Sequence, residues 1–445
     1  MSTTRKICAR GLSSSSTIRN VLHHCGNHSK VQQQGRINSW QRMFSTLETL
    51  PPLIYASKHK GPIVDQLWTL RLQAKQKAAA SPDPIDMKRP RPPSESMTKI
   101  TYDFESDDFL KEQYCNPFGG LRFGKVLEDL DALAGNIAFS HVQDPTVNIV
   151  TASVDRIRLS GAVDMDRNQQ LSGKVTFVGS SSMEIRMQCK GDGEDDPWME
   201  AYFTFVAVDS TTKKPMKIPP LDPQTWLEKD QFEAGQRRAN VRKEARRKGQ
   251  NFETAPLDPE IEKVAVQLND DAGPLKNIPS LANPNAMLME QTRLQNCEIA
   301  QPQTANLAHQ IFGGFLMRRA FDLAYATTYL FAGCRPRFME VDQVAFTMPV
   351  SVGDLTNFQS QIVYANVHDT ITDFHLYQGQ ANVPIISVEV QAWVVQPAIS
   401  SAKLSNKFVY TFAVDGGTEI RKILPGNMEQ ARKMATHLAN RGITG

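Results

Sequence analysis

Two stretches of this chain, about 187 residues apart, echo one another, and that repeat restricts its fold more than any other feature of the sequence. One reads Thr-Ala-Ser-Val-Asp-Arg-Ile around Asp155; the other reads Arg-Phe-Met-Glu-Val-Asp-Gln-Val around Asp342. Upstream of each, a glycine-containing turn runs into an amphipathic stretch carrying a carboxylate. Arg122-Phe123-Gly124 leads to Asp131, and Phe312-Gly313-Gly314 leads to Asp322. Downstream of each lies a series of strand-like segments. A duplicated unit with an acid on its helix predicts two half-sites facing one another, which suits an enzyme better than a scaffold.

The first repeat is expected over 99–209. Val126, Leu127, Leu130, Leu133 and Ala134 recur at helical spacing within 124–135. Strands are expected at 149–159, 171–178, 182–189 and 199–208, with clear alternation in Leu171, Gly173, Val175 and Phe177. The second repeat is expected over 287–397. Its helix covers 314–330, with Phe315, Leu316, Ala320, Phe321, Leu323 and Ala324 on the buried side, and strands follow at 338–346, 357–367, 373–377 and 384–395. Val175 and Phe177 correspond to Ile362 and Tyr364. One helix followed by several antiparallel strands, twice over, is an α+β pattern.

The rest of the chain reads as connections. Residues 45–98 form a lead-in, with a helix at 64–80 and a Pro-rich linker containing Pro82, Pro84, Pro90, Pro92 and Pro93. Residues 210–286 form a polar linker with a basic helical patch of Arg237, Arg238, Arg242, Lys243, Arg246, Arg247 and Lys248. Such a run is usually a solvated face, the alternative being a docking surface for an anion. Residues 398–445 are a C-terminal extension with a strand at 407–414 and a helix at 428–439.

A length of 445 residues allows two or three domains, and a net charge of +3 does not by itself point to nucleic acid. The first 44 residues hold Arg5, Lys6, Arg10, Arg19, Lys30, Arg36 and Arg42, no acid, and the serine run 13–16. That composition fits a mitochondrial transit peptide, with Arg42-Met43-Phe44 before Ser45 as a processing pattern; the plainer alternative is a basic tail. Cys8 and Cys25 fall within it. Cys115, Cys189, Cys297 and Cys334 are scattered without metal-ligand spacing. No apolar run reaches the roughly 18 residues of a membrane span. The expectation is a soluble protein of the mitochondrial matrix.

The sequence has no GxSxG elbow, no GxxxxGK[ST] loop, no HExxH and no GxGxxG after a strand. What remains is a glycine turn opening a helix, with a carboxylate about two turns in. Free N–H groups at a helix start favour a developing oxyanion, and a carboxylate can act as general base toward water.

The segment Asn306-Leu-Ala-His-Gln-Ile-Phe-Gly-Gly-Phe-Leu-Met-Arg-Arg-Ala-Phe-Asp322 resembles the signature of hotdog-fold acyl-CoA thioesterases. Asn116-Pro-Phe-Gly-Gly-Leu-Arg-Phe-Gly-Lys-Val-Leu-Glu-Asp-Leu-Asp131 has the same outline. With the transit-like segment and two units, the chain is most similar to the mitochondrial acyl-CoA thioesterase 9-like group. The resemblance implies two hotdog domains, each a long helix wrapped by an antiparallel sheet, packed as a pseudo-dimer with active sites between them. It pairs Asp131 with Asn306, and reciprocally Asp322 with Asn116. Asp322 lies one residue beyond the family's acid position, where Phe321 falls, and Phe123-Gly124 replaces Gly-Gly in the first unit; both departures favour a single working site. There Asp131 is the base, Asn306 orients water or carbonyl, and Gly313 and Gly314 support the oxyanion; Gly124 and His309 are further candidate binding positions.

The implied reaction is hydrolysis of acyl-CoA to a free acid and coenzyme A, without metal or organic cofactor, in a homo-oligomer. Two other readings stay open: hydration of an enoyl-CoA on the same fold, and a non-catalytic acyl-CoA-binding or matrix assembly protein. Asp155 and Asp342 read as residues that orient strands.

Overall fold

The computed structural model describes residues 61–80, 86–247, 258–306, 310–342, 344–368, 383–414 and 418–441, all within the unit Ser57–Gly445. The transit-like segment, His309 and the strand expected at 373–377 lie outside them. No helix among the described residues is long and apolar enough to cross a membrane.

The described elements run α1 (Pro62–Ala80), β1 (Thr98–Tyr102), α2 (Asp108–Tyr114), α3 (Phe123–Val142), β2 (Val147–Val154), β3 (Ile157–Leu159), β4 (Gln169–Val178), β5 (Ser182–Gly191) and β6 (Met199–Asp209). Three helices follow, α4 (Trp226–Arg247), α5 (Pro259–Asp271) and α6 (Gly273–Asn277), then β7 (Ala286–Leu288) and β8 (Leu294–Ile299). The chain continues through α7 (Gly313–Ala332), β9 (Arg337–Val341), β10 (Val344–Ala345), β11 (Leu355–His368), β12 (Val383–Gln396), β13 (Ser401–Ala413), β14 (Lys422–Leu424) and α8 (Met428–Asn440).

The expected repeat is visible in the strand order. One half of the large sheet runs β1-β4-β5-β6, the other β8-β11-β12-β13, and every pairing is antiparallel. The halves join through reciprocal pairs: Ile157 lies opposite Val341, and Val344 opposite Val154. Irregularities repeat as well. β4 shifts register between Val175 and Phe177, and β11 between Ile362 and Tyr364.

Helices α3 and α7 cross back to back beneath these strands. A Cβ added at Gly124 would meet Phe321, Asp322 and Arg318, and one at Gly314 would meet Glu128 and Asp131. Each helix start thus faces the other's second and third turns, so the two run antiparallel. Glycine at 314 is required by packing, because its Cβ would come 2.8 Å from the Cα of Glu128. Helix α3 is buried almost all round, and its apolar side chains (Leu127, Leu130, Leu133, Ile137) fill the core beneath the strands. It ends on Gln143 in the left-handed conformation, as α7 ends on Gly333.

Three expected boundaries need correction. The second repeat does not stop at 397, because β13 pairs with β12 and β9 inside the sheet and matches β6 of the first half. The strand expected at 149–159 breaks around Asp155, where the chain leaves β2 for β3 at the junction of the halves. The lead-in is not a loose tether: Ile63, Val64, Leu67 and Trp68 bury one face of α1 in the core, and Asn136 on α3 donates to the Leu67 carbonyl at 2.8 Å.

The basic linker helix is α4. Arg238 and Arg242 do not face a free anion; Arg238 binds both Glu184 oxygens at 2.6 and 3.1 Å, and Arg242 reaches Asp155 at 3.2 Å and Glu184 at 3.3 Å. With Phe232 against Phe177, these contacts tie α4 across the sheet. Asp155 therefore serves as an anchor, and Asp342 does likewise, 3.0 Å from Arg156.

Candidate active site

The asparagines ahead of the two helix starts make matching bonds 190 positions apart. Asn116 N donates to the Gly120 carbonyl at 2.7 Å, and Asn306 N to the Gln310 carbonyl at 2.6 Å. Each asparagine's Oδ1 accepts the N–H four residues on, both at 3.1 Å. Asn116 commits its amide further, accepting from Phe118 N and donating to the Leu121 carbonyl. These local bonds shape a loop that delivers the chain to the helix start.

At the start of α7 the halves meet in a cleft of about 240 Å³. Asp131, Thr151 and Phe205 reach it from the first half, and Asn306, Gln310, Gly313 and Leu316 from the second. The structure thus places Asp131 and Asn306 around one cavity. Asp131 is 3 % exposed, its Oδ1 accepting from Thr151 Oγ1 at 2.8 Å and its Oδ2 from Gly314 N at 2.8 Å. Burial pushes the Asp131 carboxyl up to about 6, while the bonds from Thr151 and Gly314 and the charge of Arg71 pull it down. It is ionised at pH 8 and easily protonated below pH 6.

The bond to Gly314 alters the expected division of roles. That N–H is held by Asp131, whereas the Gly313 N–H has no acceptor among the described residues. A methyl group added at Gly313 would lie 3.2 Å from Asp131 Oδ2 and 3.1 Å from the Phe346 ring, so bare backbone borders the carboxylate.

The mirror corner, at the start of α3, is closed. Phe123 stands where Gly313 stands, Phe321 takes the place of Asp131, and Phe338 that of Thr151. Their rings pack together at centroid distances of 4.2, 5.3 and 5.9 Å, with Tyr410 and Phe412 around them. Asp322 points aside, its Oδ2 3.9 Å from Arg318 Nε. Gly124 packs against Phe321 and Asp322. The reciprocal pair Asn116 and Asp322 is therefore not assembled into an open site.

Thr151, Arg71 and Lys75 are cleft residues that the sequence reading did not foresee. Thr151 sits beside a register shift between β2 and β6, a bulge that re-aims side chains. Its signal was available: aligning the two Asp motifs sets Thr151 opposite Phe338. Arg71 comes from α1, where it looks like one more polar position. Asp129 shows the converse, since it is buried and pushed up to about 7, yet accepts from Tyr114 and Tyr102 away from the cleft. A shifted acid alone does not mark the site. Among the described residues, no group of three or more His, Cys, Asp or Glu is placed to hold a metal ion.

A buried carboxylate beside an open helix N-terminus, shared between two halves of a repeat, is equipment for attack by water on a carbonyl. No family model matches the chain. It is 37 % identical over 407 residues to the mitochondrial acyl-coenzyme A thioesterase 4 of Humulus lupulus, covering 86 % of this chain and 74 % of that protein. It is 34 % identical over 290 residues to human mitochondrial acyl-coenzyme A thioesterase 9, covering 62 % of this chain and 65 % of the relative. Among solved structures, an acyl-CoA hydrolase from Staphylococcus aureus aligns at 25 % identity over 37 % of this chain and 94 % of that one, with a TM-score of 0.33. The chain belongs to the acyl-CoA thioesterase 9-like family.

Proposed function

We propose that this protein hydrolyses acyl-CoA to a free acid and coenzyme A at the Asp131 corner. The observation that carries this reading is Asp131 itself, buried across from Asn306 and bordering the unengaged N–H of Gly313. Ionised Asp131 takes a proton from water as its oxygen bonds to the thioester carbonyl carbon. The carbonyl oxygen becomes an oxyanion and receives the Gly313 N–H at the positive end of α7. When the oxyanion re-forms the carbonyl, the C–S bond breaks and the departing thiolate takes up the proton held by Asp131. Asn306 orients the water or the carbonyl. These steps call for no metal or organic cofactor.

The halves are read as two hotdog domains packed as a pseudo-dimer, a reading supported by the reciprocal strand pairs at their junction. We place the protein in the mitochondrial matrix on the basic acid-free segment 1–44 and the mitochondrial relatives, and read it as a homo-oligomer on the family resemblance alone. The test is release of free thiol from acyl-CoAs of several chain lengths. Wild type should turn over at least one of them and Asp131→Ala none. No turnover by wild type on any chain length rejects the hydrolase reading and leaves acyl-CoA binding; full activity in the variant rejects the site.

A further inference from the structure

Helix α1 lays two cations along the cleft, and Asp131 and Asp144 act on them only at a distance. Asp131, Gly135 and Phe139 are spaced four residues apart, so they share one face of α3, roughly 6 and 12 Å along its axis from the acid. Arg71 covers the second of these positions: a methyl group at Gly135 would come 2.6 Å from its Nη1. Lys75 covers the third, its Nζ 5.8 Å from the centroid of the Phe139 ring. Both line the cavity that holds Asp131.

Neither forms an ion pair among the described residues, and the enclosed Nε of Arg71 has no hydrogen-bond partner. Asp131, the acid acting on Arg71, has given its two oxygens to Thr151 and Gly314. Arg238, Arg242 and Arg318, by contrast, each hold a carboxylate. A part-buried guanidinium and ammonium left unpaired beside one cavity are costly unless a ligand supplies the counter-charge. Burial pulls Arg71 down to about 10 and Lys75 to about 8, in keeping with that cost.

Resting on the thioester-hydrolase reading, we propose that Arg71 and Lys75 form an anion subsite for carboxylate or phosphate oxygens of the substrate. A carboxylate would come from the far end of a short acyl chain, and a phosphate from the coenzyme A portion. Arg71 offers paired donors to either group, and Lys75 a second charge one helical turn further on.

The experiment compares glutaryl and pentanoyl thioesters, each on coenzyme A and on pantetheine, using wild type, Arg71→Gln, Arg71→Lys and Lys75→Gln. In Arg71→Gln the kcat/KM ratio of glutaryl to pentanoyl thioesters should fall at least about tenfold on both carriers, with partial recovery in Arg71→Lys. A fall instead in the ratio of coenzyme A to pantetheine thioesters assigns the anion to phosphate. If neither ratio moves more than about twofold in any variant, the subsite is overturned. Ratios cancel any effect of Arg71 on Asp131 that all substrates share. Binding is followed separately by calorimetry with the thioethers S-(4-carboxybutyl)-CoA and S-pentyl-CoA, which need no hydrolysis. A wild-type protein inert toward all thioesters would reject the hydrolase reading, while weaker binding in Arg71→Gln, either of S-(4-carboxybutyl)-CoA alone or of both thioethers alike, would still support the subsite.

Discussion

The two helix-start corners descend from one repeated pattern and have opposite contents. At one, Gly313, Asp131 and Thr151 border a cleft; at the other, Phe123, Phe321 and Phe338 fill the equivalent space. Burying a carboxylate in a hydrogen-bonded pocket costs free energy, while packing three rings gains it. A duplicated fold can therefore give up symmetry, keeping chemistry at one corner and cohesion at the other.

The most severe way to break this comparison is to replace each acid. Asp131→Asn keeps the shape and still accepts from Gly314, so the fold should persist while kcat for thiol release falls about 10²- to 10⁴-fold. Asp322→Asn should change kcat by less than about threefold; equal losses would mean that both corners work. Stability measured by urea unfolding should show the reverse order. Phe321→Ala empties the aromatic cluster and should cost about 3–5 kcal/mol, whereas Asp131→Asn at pH 8 should cost little or stabilise.

Thr151→Val tests the support of the acid. Without the hydroxyl donor the Asp131 carboxyl should titrate higher, so the acid limb of the kcat/KM profile, near pH 6 in wild type, should move upward with about a tenfold loss at pH 7. An unmoved limb would remove Thr151 from the account. The smallest effect concerns stability against pH. Asp129 and Asp131 are raised above the ordinary carboxylate value, so the folded state binds more protons than the unfolded one between about pH 4 and 7. Their contribution is therefore largest near pH 4 and is lost as pH rises through about 6 to 7. Asp129→Asn should flatten that decline, read from urea midpoints across the range.

The repeat, its helices and most of its strands were legible because buried faces impose periods of 3.6 and 2 on the chain. Asp131 and Asn306 could be named only through the resemblance, which sets a loop Asn before one helix and an acid on the other. The closing of the mirror corner was half visible, in Phe123 and Phe321. Phe338 shows only when the Asp motifs are aligned by themselves, because the loops repeat at 190 positions and the strand motif at 187, so one offset does not align both. Arg238 and Arg242 looked like a solvated basic run because their partners, Glu184 and Asp155, are distant in sequence. Arg71 was missed on the same ground. Nothing in residues 62–80 tells which surface of the fold their helix covers.

The bond from Gly314 N to Asp131 Oδ2 joins residues 183 positions apart. Such a contact closes late, after both halves have formed and the long intervening chain has been drawn in. During synthesis the ribosome releases the first half, Asp131 included, well before Gly313 emerges, and through that interval the acid has no helix start to face. On the proposed mechanism the nascent chain is then inert toward thioesters, and the onset of activity would report that folding is complete.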